Sequence, residues 1–413
     1  MWAAAILSLL LLFATDFSTE GMKALDDRKY QEAADLFAKA VAADPADYAA
    51  NFHLALSYSL LGKAAEAIPV YKKVLELKPG LYEAELNLGI LLAGQKPANE
   101  AAPYLRSAAE KKPKEYRPRF YLAKALLESG DFINAEESYK LAAELDSKSA
   151  AAQLGWAHAL ARQNRLPDAA EHFRQAAALD ASYRDSLLEL ASLYEAAKQP
   201  AEAIAIYQQF PENTAAQARL GELLIETKRY SEAIDRLEKV VQKDPTPVNN
   251  LALAQAYLLN KEPQKSIPLL EKAVAADPGN YDLHMTYGRT LRDQKKLGAA
   301  ASQFNAAAQK RPDSVEAWNE LAAILTVLDD FPRALAALDR VKALGGEKPG
   351  DLFFRAIILD KMAAGATSEK AKRLKMALEA YQNFLASSHG EFSNQEFQAR
   401  QRSKVIQKEL TKR

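Results

Sequence analysis

The sequence predicts an all-α solenoid, a stack of antiparallel helix hairpins, and three observations carry that reading. First, a ladder of small residues recurs every 34 positions: Ala33, Ala67, Ala101, Ala135, Ala169 and Ala203, continuing as Ala233, Ser266, Ala300 and Ala334. A strict period of this size marks a stack of near-identical units that presents a surface to something else. Second, two further series keep the same register. Small residues run 12 positions ahead (Gly21, Ala55, Gly89, Ala123, Ala157, Ala191, Gly221, Ala254, Gly288, Ala322) and bulky ones four behind (Phe37, Tyr71, Leu105, Tyr139, Phe173, Tyr207, Leu237, Leu270, Phe304, Leu338). Third, the chain shows no strand-like runs of alternating β-branched residues, with 49% hydrophobic and 26% charged residues and 16 glycines among 413.

In chain order, Trp2–Ala14 (WAAAILSLLLLFA) is uncharged and apolar except for one serine. Thirteen residues at about 1.5 Å each span roughly 20 Å, short of a bilayer core. The run reads as a signal sequence or uncleaved anchor at 1–14, or as a helix on the end of the stack. Repeats one to six occupy 15–210. Within one unit, Phe52 to Pro79, apolar residues recur at spacings of three and four on both sides of Gly62, giving two short amphipathic helices and a tight turn. Prolines close many units (Pro45, Pro79, Pro113, Pro245, Pro278, Pro312), whereas Ser147 and Ala181 stand there instead. The sixth unit is four residues short before Pro211 and is expected to bend the stack as a hinge. Repeats seven to ten fill 211–346. A degenerate eleventh hairpin with a polar insertion, Gly365–Lys375, covers 347–390, and a basic amphipathic capping helix covers 391–413. Its apolar side is expected to hold Phe397, Val405, Ile406 and Leu410. Capping is one role for it; membrane-surface or partner docking through Arg400, Arg402, Lys404, Lys408 and Lys412 is the other.

These units resemble tetratricopeptide repeats, a family of 34-residue helix hairpins with small residues at the helix crossing and a closing proline. The likeness covers roughly residues 15 to 346. It implies a right-handed superhelix whose concave face is lined by the first helix of each hairpin. Projected onto this chain, the groove positions are Phe52, Leu86, Phe120, Leu154 and Leu188, then Leu56, Ile90, Lys124, His158 and Ser192. In the C-terminal half they read Ala218, Leu251, Met285 and Asn319, then Glu222, Gln255, Arg289 and Ala323, with Arg292 and Asp293 alongside. The groove is thus expected to be apolar first and polar later. Its apolar stripe either grips a partner segment or packs between adjacent first helices. The family's carboxylate clamp for chaperone tails is not matched.

Lys plus Arg equals Asp plus Glu at 54 each, so no global field favours nucleic acid. The chain has no cysteine, which excludes disulfides and thiolate chemistry. The five histidines, His53, His158, His172, His284 and His389, keep no metal-ligand spacing, and no phosphate-loop, dinucleotide or nucleophile-elbow motif occurs. Glu222 with Glu226, and the cluster Lys111, Lys112, Lys114, Arg117 and Arg119, read as solvated charge. The expectation is a non-enzymatic scaffold or adaptor that needs no cofactor or metal, binds partner peptide segments and sits at the cell envelope, periplasmic in a Gram-negative bacterium. The alternatives are a cytoplasmic location and a regulatory or targeting subunit of an enzyme complex.

Overall fold

A computed structural model describes residues 16–95, 98–364 and 369–411. The apolar run at Trp2–Ala14 lies outside the described residues. Among them the chain is helical throughout, without strands. It forms two compact units, Met1–Ile206 and Tyr207–Arg413.

In the first unit, hairpins pair residues 16–26 with Tyr30–Ala43, Tyr48–Leu60 with Ala64–Leu77, and Tyr82–Ala93 with Ala101–Lys111. Tyr116–Glu128 pairs with Phe132–Leu145, and Ala150–Arg162 with Leu166–Leu179. Ser186–Ala196 is followed by the short helix Pro200–Tyr207. The second unit continues with Thr214–Glu226 and Tyr230–Lys243, Pro247–Leu259 and Pro263–Ala276, Tyr281–Asp293 and Leu297–Lys310, and Val315–Val327 and Phe331–Ala343. Pro349–Ala364, Lys370–Ser387 and the last helix Ser393–Thr411 end the chain.

The three sequence series build the core. Every member of the 34-residue ladder, from Ala33 to Ala334 and including Ser266, is fully buried. Ser266 is tolerated there because its hydroxyl donates to the Pro263 carbonyl at 2.7 Å, so no polar atom is orphaned. In the regular repeats the bulky residue packs between first helices: the small residue of its own hairpin stands sixteen positions before it, as Gly21, Gly89 and Gly288 do against Phe37, Leu105 and Phe304, and a residue of the next hairpin sixteen after. Phe37 stacks on His53 at 5.2 Å, Asn87 Nδ2 donates to Tyr71 Oη at 3.3 Å, and Tyr139 faces Gly155 in the same way. A Cβ at Gly155 would stand 2.2 Å from the Tyr139 ring.

The turns inside hairpins keep a register that the residue types hide. Arg28, Gly62, Gly130, Asn164, Lys198, Lys228, Lys261, Lys295 and Asp329 all have positive φ, with values from 57° to 85°. Their spacing is the ladder's own, including its lapses of 30 and 33. At each, the following amide reaches back to the carbonyl five residues earlier, as Lys63 N to Tyr58 O and Lys296 N to Leu291 O. This is the Schellman ending of a helix, which demands a left-handed residue. Lysine takes that conformation at a cost of roughly 1 kcal/mol that glycine avoids.

Between hairpins, the residue ahead of a closing proline is driven out of the helical region, with φ of −131° to −135° and ψ of 76° to 91° at Asp44, Lys78 and Asp277. Asp146 and Asp180 adopt the same conformation without proline. An Asx turn is present there, Asp146 Oδ1 accepting from Lys148 N at 3.1 Å and Asp180 Oδ1 from Ser182 N at 2.8 Å, as Asp44 Oδ1 also does from Ala46 N at 3.1 Å ahead of Pro45. Tyrosines tie successive repeats: Tyr82 Oη lies 2.5 Å from Glu115, and Tyr116 and Tyr281 each lie 2.7 Å from the cap serine of the next repeat, Ser149 and Ser314. Lys112 and Arg311 cover the rings of Tyr82 and Tyr281. After the short helix Pro200–Tyr207, the buried Gln217 amide donates to the carbonyls of Tyr207 and Phe210 at 3.0 and 3.1 Å, satisfying groups the missing half-turn would have bonded.

Two local expectations at the C-terminus need correction. The segment read as a polar insertion is helix from Lys370 on, with Leu374 buried; residues 365–368 lie outside the described residues. The last helix buries Glu396, Ala399, Ser403 and Ile406, while Phe397 is 65% exposed and Val405 43%. Small Ala399 and Ser403 let it lie close against the eleventh hairpin, and Arg402 locks it there by a two-point contact with Asp360 at 2.5 and 2.8 Å.

Gly155→Ala is expected to cost about 1–3 kcal/mol of stability, with Tyr139→Leu in the same chain recovering part of it, as measured by chemical denaturation. Replacing Lys228, Lys261 and Lys295 together by glycine is expected to raise stability by roughly 1 kcal/mol per site, read as a higher denaturation midpoint.

Candidate functional site

The first helix of each hairpin carries the candidate groove residues. In the first unit Phe52, Leu56, Ile90, Phe120, Leu154, His158 and Leu188 are half-buried, and Lys124 is exposed. Leu86 is a correction to a lining position, since at 5% exposure it belongs to the core with Leu88, Leu105 and Leu122. Phe52, Ile90 and Phe120 pack against that same cluster. Phe52 meets Tyr71 edge-on at 5.9 Å, and Phe120 meets Tyr139 at 6.0 Å and stacks on Tyr116 at 5.2 Å. One side of each apolar residue is therefore spent on the stack and the other remains open.

Charge pairs cross from one first helix to the next. His158 Nε2 lies 3.1 Å from Glu189, and that hydrogen bond holds the Glu189 carboxyl below its usual range against the opposing effect of burial. Arg289 contacts Glu316 and, at 3.6 Å, Glu320; Arg292 Nη1 contacts Glu320 at 2.6 Å. His158–Glu189 and Arg289–Glu320 share one spacing, 31 residues, a signal that the sequence contained and the reading of single positions missed. Beside these pairs, in the second unit, opens a cavity of about 570 Å³ between the first helix of the tenth repeat and that of the eleventh hairpin. Glu316, Asn319, Glu320 and Ala323 line one wall; Lys348, Asp351 and Phe354 line the other. Phe354 is 41% exposed. The polar character expected for this half is thus a network of paired charges, with a ring at its margin.

Three of the remaining charged candidates have local partners. Glu222 pairs with Arg219 at 2.5 Å, Lys111 reaches the buried Glu85 at 2.5 Å, and Lys112 pairs with Glu83 and Glu115. Among the described residues no group of three or more His, Asp or Glu could hold a metal ion, and no helix is long and apolar enough to cross a membrane.

Helix hairpins stacked in one register within each unit, with successive first helices side by side, define a helical-repeat protein of the kind used to bind other proteins. The family profile of the tetratricopeptide repeat matches residues 19–82 and 86–150, and that of the ChAPs, the Chs5p-Arf1p-binding proteins, matches 180–343. With these matches and the ten-fold ladder, the chain is a helical-repeat array that carries tetratricopeptide repeats. Similar solved structures include MamA 41-end from Desulfovibrio magneticus RS-1, 22% identical over 41% of this chain and 96% of that one, at a TM-score of 0.39. A crystal form of MamA from AMB-1 is 24% identical over 41% and 99%, also at 0.39. The tetratricopeptide domain of P58(IPK) is 17% identical over 77% and 98%, at 0.27.

Two histidines on this scaffold set an acid limit. Burial holds His53 and His172 below the usual imidazole range, opposed weakly by Asp47 and Glu171. His53 packs on Phe37, and His172 stacks on Trp156 at 3.8 Å. Below about pH 6.5 the unfolded chain holds more protons at these sites than the folded one, so stability is complete above that pH and falls as pH drops through it. Calorimetric melts between neutral pH and mildly acidic pH should show this decline, and a His53→Phe, His172→Gln double variant should flatten it.

Proposed function

We propose that the chain is a non-enzymatic scaffold that holds extended or helical segments of partner proteins along the face made by its first helices. The observation that carries this reading is the open cavity bounded by Glu316, Asn319, Glu320, Lys348, Asp351 and Phe354. Paired charges and an exposed ring there offer both orientation and apolar contact to a segment laid across successive helices. In the first unit, Leu56, Ile90, Leu154 and Leu188 with Lys124, His158 and Glu189 offer a more apolar track. Groove residues Arg289 and Arg292 then act as specificity elements, because a partner must match or displace their glutamate contacts. The apolar run Trp2–Ala14 supports a location at the cell envelope, by export or by anchoring.

The match of residues 180–343 to a family named for binding Chs5p and Arf1p favours a second reading, a regulatory or targeting subunit of an enzyme complex. Photo-crosslinkers placed at Lys124 and Ala323 are expected to capture discrete partners in cells, whereas one on an outer second-helix position such as Lys72 is not. Equal labelling from all three would remove the groove from consideration. A captured enzyme whose activity changes with the chain would select the second reading, and fractionation of the same cells reports the compartment.

A further inference from the structure

We propose that the outward face of the last helix docks on an anionic membrane surface, lying in the plane of the headgroups. The buried side of Ser393–Thr411 is Glu396, Ala399, Ser403 and Ile406, which leaves Phe397, Arg400, Gln401, Lys404 and Lys408 exposed along the opposite side, flanked by Val405. Both carboxylates of the helix are turned away from that side. Glu396 accepts from Ser388 Oγ at 2.7 Å and Gly390 N at 2.8 Å, and Glu409 faces Lys370 and Arg402. Arg402 is likewise consumed inward by Asp360. Among the described residues the exposed side therefore carries three cations and no acid, although the whole chain is formally neutral. Arg400 has one loose partner, Glu396 at 3.4 Å, and is 66% exposed.

The occupant follows from charge and from the aromatic. Phe397 stands 65% exposed and Val405, beside the same face, 43%. An acidic protein segment would satisfy the cations and leave that ring in water. The headgroup and acyl boundary of a bilayer accepts an isolated aromatic, while its anionic lipids meet Arg400, Lys404 and Lys408. A helix satisfies its own backbone, so it can enter that boundary without exposing unpaired groups.

The test uses the full chain and vesicles of phosphatidylcholine alone or mixed with phosphatidylserine. The run Trp2–Ala14 is uncharged, so its contribution is common to both vesicles and the reading is their difference. The native chain should prefer the anionic vesicles, and that preference should weaken with salt. Each cation contributes roughly fivefold, so the R400Q/K404Q/K408Q chain should lose roughly a hundredfold of the preference, and Phe397→Ser should weaken binding to the anionic vesicles. These side chains are exposed, and circular dichroism checks that the fold is kept. Since the chain has no cysteine, Gln401→Cys gives a unique site for an environment-sensitive fluorophore. Its emission should shift to the blue, and brominated lipid should quench it. An unchanged preference in the triple variant, no blue shift at position 401, or an equal response to soluble polyglutamate would each overturn the proposal.

Discussion

Within each unit the structure depends on one repeated constraint: a bulky residue in the second helix of a hairpin is clamped between a small residue of its own hairpin and the first helix of the next. Tyr139 shows both contacts, sitting over Ala123 in its own hairpin and against Gly155 in the following one. Because interiors pack at crystal-like density, neither contact has slack, and a single added methyl at Gly155 meets the ring. The wedge is also what joins repeats. A hairpin alone leaves one flank of its bulky residue in water, so burial is completed only when the next hairpin arrives.

The polar groups follow from that stacking. Two helices brought this close leave turns of fixed geometry, and the geometry is met by whatever residue is present. Glycine supplies it at 62 and 130, while lysine, arginine, asparagine and aspartate supply it elsewhere under some strain. At the joints between repeats, proline or an Asx turn breaks the helix, and a first-turn side chain caps the freed carbonyl. Asn51 Nδ2 and Trp318 Nε1 donate in this way to Pro45 O and Pro312 O, six residues back. Gln217 does the same work where the sixth repeat ends early.

This explains what the sequence made legible. Alanine, glycine and aromatic ladders were readable because packing volume dictates residue type. The turn register was hidden because backbone conformation, not side-chain identity, is what it conserves. Leu86 was expected to line the groove, yet it packs into the core with Leu88, Leu105 and Leu122, a difference that one helical position does not reveal. The last helix was misread for a related reason. Counting apolar residues favoured Phe397 and Val405, yet the packed face went to Ala399 and Ser403, whose small size allows approach, and to Glu396, whose carboxylate caps the preceding turn.

Stacking also determines where function can reside. Positions in the wedge are held to a narrow range of volumes, so chemistry varies most freely at side chains that keep an open side. On the first helices those are the half-open apolar residues and the charges that bridge 31 positions, His158 to Glu189 and Arg289 to Glu320. Such bridges satisfy charge on the face without filling it, and each is exposed enough to exchange its partner for one on an incoming segment at little electrostatic cost. The same logic operates at the helix Ser393–Thr411. Its inner face closes the stack and uses Arg402, Glu396 and Ile406 to do so. Its outer face carries cations and a ring in place of the neutral, polar surface that capping alone requires.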